Sequence, residues 1–243
     1  MYSAVAVLSA ACNANPIIFL KYPQDFVFSG LGLSQENAGL SHRLDGAGLN
    51  GPCVAGAIDK LLTIDRYYAQ KFARLVGMLD GMLDGIPEAD GTTVLDNSAA
   101  IWFQEVSDGA ARNLNKLPII QAGGAGGYFK TGWAVNVDDG SPNLSKGNSE
   151  SACTPGTTDT IDGISQSTGT DAALANAPIN KYYCNLMNAI GVRAGEDGFP
   201  AKGGAAEVTK FGMYDKTEDF VGGGTNPPMI HSPGGFDALK ANP

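Results

Sequence analysis

One stretch of this chain carries a sustained helical repeat, and the rest must be arranged around it. From Ile58 to Leu83 the residues Ile58, Leu61, Leu62, Tyr68, Phe72, Leu75, Leu79, Met82 and Leu83 recur at the spacing of one helix face. Gly85 and Pro87 end the pattern. Three shorter apolar runs accompany it, at 16–22 (PIIFLKY), 99–104 (AAIWFQ) and 117–122 (LPIIQA). Each is too short for a stable helix and is continuously apolar rather than alternating. That is the pattern of a strand covered on both faces of a parallel sheet. Strand, helix, strand, loop, strand predicts an α/β fold, a mostly parallel sheet flanked by helices. Residues 2–13 predict a further helix. Pro178 opens another, with Ile179, Tyr182, Tyr183, Leu186, Met187 and Ile190 on one face and Gly191 at its end.

The chain has 243 residues, enough for one large α/β domain or two small ones. An α/β domain is expected over 1–194. Within it, residues 136–177 form a long polar insertion, and 195–243 form a Gly- and Pro-rich tail on the surface. The formal net charge is −9, which argues against nucleic acid and anionic membrane surfaces as partners. Residues 2–12 (YSAVAVLSAAC) are apolar but too short to span a bilayer. No basic residue precedes Lys21, so this segment reads as a buried helix of the mature protein rather than a signal peptide.

Four cysteines are present, none in a CxxC pair, which removes a zinc ribbon or a dithiol redox motif. Cys53 (GPCVAG) and Cys153 (SACTPG) lie in loop-like sequence, where a disulfide could anchor the insertion. Cys12 and Cys184 fall on apolar helical faces and read as buried thiols. This usage, with the low charge, predicts an oxidising compartment: secreted, periplasmic or cell-surface.

Several motifs resemble the bacterial family called domain of unknown function 1552. They are Gly39-Leu-Ser-His42, then Leu95-Asp-Asn-Ser98, Asn113-Leu-Asn-Lys-Leu-Pro118, Gln121-Ala-Gly-Gly-Ala-Gly-Gly127 with Lys130-Thr-Gly132, and Pro178-Ile-Asn-Lys181 through Leu186-Met-Asn-Ala-Ile-Gly-Val192. With the 58–83 helix they cover roughly positions 1–215 in the expected order. The resemblance implies an alkaline-phosphatase-like and sulfatase-like architecture, of which this chain would be the C-terminal portion. It also implies metal ligands after the strand at 99–104. Glu105 stands where the ligand aspartate would be, and Val106 stands where the ligand histidine would be. The loop 109–116 carries no histidine either.

Two-metal hydrolysis requires several His and Asp ligands and a nucleophile. The chain has two histidines, His42 and His231. His42 is the best remaining ligand candidate, with a hydrogen-bonded loop histidine as the alternative. Glu105, at the end of a strand, could bind a cation or pair with Arg112 or Lys116. Asp138 and Asp139 could hold calcium, though no EF-hand spacing is present. The glycine run 123–127 lacks phosphate-loop spacing and reads as a tight turn. The expected function is therefore a non-catalytic structural or assembly component on a degenerate hydrolase-like scaffold, with other protein chains as partners in an oligomer or larger assembly. The alternatives are a phosphate or sulfate ester hydrolase completed by a further N-terminal segment, and a calcium- or glycan-binding surface module.

Overall fold

The computed structural model describes residues 2–15, 17–21, 26–44, 53–82, 87–106, 109, 117–133, 135, 178–211 and 234–241. They include four helices, α1 (Tyr2–Ala11), α2 (Asn37–Ser41), α3 (Ala57–Leu79) and α4 (Ile179–Ala189). The strands are β1 (Ala100–Phe103), β2 (Ile119–Ala122), β3 (Arg193–Ala194) and β4 (Ala206–Glu207).

The expected mostly parallel, alkaline-phosphatase-like sheet is not what forms. Among the described residues β1 pairs with β2 and β3 with β4, in two small antiparallel sheets. Two of the three expected strands exist, but each has four residues and they pair with one another. A continuous apolar run reports burial, not strand direction, and parallel pairing further needs a crossover that packs on the sheet. The third run, 17–21, has no regular secondary structure, and Phe19 there is 84% exposed.

The contacts divide the chain into two compact units. In the first, containing residues 1–88 and 101–121, the core is built on α3. Gly56 enters this helix at φ 64, a left-handed value that glycine adopts without the Cβ clash. Ile64 then packs with Phe28 and Leu40. The Phe28 ring meets Tyr67 and Tyr68 edge-on at 5.7 and 5.6 Å, the arrangement preferred by the ring quadrupole. β1 lies along the same helix. Trp102 packs on Phe72, with ring centroids 6.0 Å apart, and Gln104 donates a 3.0 Å hydrogen bond to Asp65. Phe72 and Asp65 are two helical turns apart on one face, and Trp102 and Gln104 are two residues apart on one strand face.

The second unit contains residues 89–100, 122–141 and 167–243 and is organised by α4. Pro178 precedes this helix, and Gly191 at φ 82 follows it. There the Val192 N–H donates to the Met187 carbonyl, closing the helix end. The buried face is only in part the apolar one expected. Tyr182 is buried and Met187 packs against Cys184, Ala194 and Val208, but Ile190 is exposed and Lys181, Asn185 and Asn188 are buried. Each asparagine clasps the backbone of one distant residue. Asn188 accepts from the Val208 N–H at 2.6 Å and donates to the Val208 carbonyl at 3.1 Å. Asn185 does the same with Phe236, at 2.6 and 3.3 Å. The carboxamide thus stands in for a neighbouring strand, which satisfies backbone that no sheet covers.

Candidate functional site

The glycine run after β2 shows what the sequence motifs build. Ala125 and Gly126 donate their N–H groups to the carbonyls of Ser98 and Asp96, at 3.0 and 2.8 Å. Gly123 sits at φ 91, and a Cβ there would collide with the backbone oxygens of Ser98 and Leu95. Leu95–Ser98 and the run 123–127 are therefore one interlocked pair of turns. Those two amides hold a protein carbonyl each, rather than facing an anion.

The expected metal ligands are placed as follows. His42 follows α2, and its backbone N–H closes the helix onto Ala38 and Gly39. The ring is half-buried, with Nδ1 inside the protein. The adjacent Ser41 hydroxyl donates to the Ala38 carbonyl at 2.7 Å, and Gly109 lies so close that a Cβ there would stand 2.7 Å from Ser41 Cβ. Glu105 lies two residues beyond β1 and is exposed. Among the described residues no group of three or more His, Cys, Asp or Glu is gathered as a metal site, so His42 and Glu105 are not brought together in one. His231, Asp138, Asp139, Arg112 and Lys116 lie outside the described residues.

Cys53 is disulfide-bonded, while Cys12 and Cys184 are free thiols. Cys184 is buried as expected. Cys12 is exposed instead, because α1 ends at Ala11 and the chain turns away at Asn13, φ 48. Cys153 lies outside the described residues.

Asp65 is a site that the sequence reading passed over. The series Ile58, Leu61, Asp65, Tyr68, Phe72, Leu75, Leu79 advances by alternating three and four residues, and Asp65 is its one charged member. That lone carboxylate in an apolar stripe was the available signal. Burial raises its pKa above the usual carboxylate range, and the hydrogen bond from Gln104 opposes this only in part. Such a carboxyl favours the folded state while protonated. Its contribution is present below the ordinary carboxylate pKa and is lost as the pH rises through the raised value. Asp65→Asn keeps an acceptor for Gln104 and removes the charge. This variant is expected to be more stable than the parent at neutral pH, with the gap closing on acidification. Parallel stability–pH curves for the two proteins would contradict this account.

Large apolar side chains are exposed near the start of the first unit. Tyr2, Val5 and Leu8 line the outer side of α1, and Ile17, Ile18, Phe19 and Leu20 follow it in the chain. Tyr2 is 75% exposed. Ile17 and Phe19 are more exposed than Ile18 and Leu20, the alternation of a strand. Among the described residues none pairs with this segment as a strand. No described helix is long and apolar enough to cross a membrane.

No protein-family model, characterised protein or solved structure matches the chain.

Proposed function

We propose that this protein is a non-catalytic component of a secreted, periplasmic or cell-surface assembly, and that it docks to another polypeptide through the apolar face of residues 2–20. The observation that carries this reading is the exposure of Tyr2, Val5, Leu8, Ile17 and Phe19 in one uncharged stretch. Large apolar side chains exposed together in this number mark an interaction site in a folded protein. The disulfide at Cys53 supports an oxidising location. The net charge of −9 disfavours nucleic acid as the partner.

Hydroxyl-radical footprinting of two samples tests the reading. In the dilute purified chain, Tyr2, Leu8 and Phe19 should be oxidised freely. In intact material from the native setting they should be protected severalfold, while exposed residues elsewhere, such as Trp133, react equally in both. Equal oxidation of Phe19 in the two samples would remove the docking face, and with it this function.

A further inference from the structure

We infer that the partner seated on this face is a second copy of the same chain, the two copies meeting about a twofold axis with their Ile17–Leu20 segments paired antiparallel. The inference rests on the docking face proposed above and adds the identity of what covers it.

Three observations point to a second copy. The first is area. The exposed side chains of Tyr2, Val5 and Leu8 with those of Ile17–Leu20 sum to on the order of 800 Å², about one side of a standard interface. The second is charge. The chain carries −9, so most contacts between two copies would set acidic surface against acidic surface. Residues 2–20 contain no Asp, Glu, Lys, Arg or His, and two copies can meet there without charge repulsion. The third is backbone. Ile18–Leu20 form a β-prone segment without a strand partner among the described residues, and its side-chain exposure alternates as a strand's does. Antiparallel pairing of one segment with its own copy satisfies both backbones at once. It is also the pairing a twofold axis permits, because residue i then faces j while j faces i.

The experiment uses the full chain with its disulfide intact. Light scattering across micromolar to millimolar concentrations should show the mass rise from one chain to two and stop there. Phe19→Asp should return the mass to that of one chain, with an unchanged circular dichroism spectrum showing that the fold persists. Ile17→Asp should act in the same way, while Met82→Asp, exposed elsewhere in the same unit, should leave the dimer intact. A single-chain mass at the highest concentration would overturn the self-pairing, as would a dimer indifferent to Phe19→Asp and Ile17→Asp. Native protection of Phe19 combined with a single-chain mass would sink the second copy and leave the docking face standing. Loss of that protection would sink both.

Discussion

Asn185→Leu is expected to destabilise the second unit by about 3–5 kcal/mol, since the change leaves the backbone N–H and C=O of Phe236 buried without their partner. Leucine keeps asparagine's branched skeleton but none of its hydrogen bonds, and its larger volume adds overpacking to the electrostatic loss. The site also admits little movement, because a Cβ built at Gly235 would already stand 2.6 Å from the Asn185 Oδ1. A loss of this size is a large fraction of a domain's whole stability. Cys184, one residue away and fully buried, gives the readout. If alkylation of Cys184 requires opening of the unit, about 4 kcal/mol corresponds to a rate increase on the order of a thousandfold. Cys12, exposed in the other unit, should alkylate at the same rate in both proteins. A parent-like rate at Cys184 in the variant would show that the carboxamide clasp contributes little.

These asparagines also show where the sequence was legible. Helices expected at 2–13, at 58–83 and from Pro178 to Gly191 form as α1, α3 and α4, but α3 stops at Leu79, short of the expected end at Gly85 and Pro87, and Gly81 follows at φ 75. The buried face of α4 followed only in part. Apolar periodicity assumes that a helix buries hydrocarbon against hydrocarbon, which points Ile190 inward. Instead α4 buries amides against the irregular backbone at Val208 and Phe236. A buried polar side chain becomes favourable once its partners are in place, and those partners lie twenty and fifty-one residues away in the chain. No local pattern records them.

The sheet failed for a related reason. At 17–20 the residues Ile, Ile, Phe and Leu have strong β propensity, but propensity describes how a residue fits a half-covered pleated surface and does not supply the neighbouring strand. At β1 the strand was legible, and its packing on α3 through Trp102 and Gln104 was legible only in part. The apolar half of that contact, Phe72, lies on the recognised stripe. The polar half, Asp65, interrupts that stripe, and its partner Gln104 lies 39 residues away in the chain. Among the candidate site residues, Glu105 lies just beyond a strand as expected, whereas His42, expected on a glycine-rich loop, caps the short helix α2. Whether such residues converge on one point is a property of tertiary structure, and among the described residues they form no metal-binding group.

Reducing the disulfide at Cys53 is expected to have an effect as large as Asn185→Leu, through the unfolded chain rather than through lost contacts. Cys53 is bonded in the first unit and forms an antiparallel bridge with Leu44, next to the turn that carries His42. The expected pairing with Cys153 closes a loop of about a hundred residues, which restricts the unfolded chain and stabilises the folded one by up to about 4–5 kcal/mol. For a chain of this size that corresponds to a midpoint lower by roughly 10–15 °C after reduction. Cys53→Ser should reproduce the drop without reductant, whereas Cys12→Ser should change the midpoint little, because that thiol is free and exposed. Peptide mapping without reductant should recover Cys53 joined to Cys153, with Cys12 and Cys184 alkylated. Recovery of alkylated Cys53, or a melting midpoint unchanged by reductant, would remove both the loop-closure argument and the support it gives to an oxidising location.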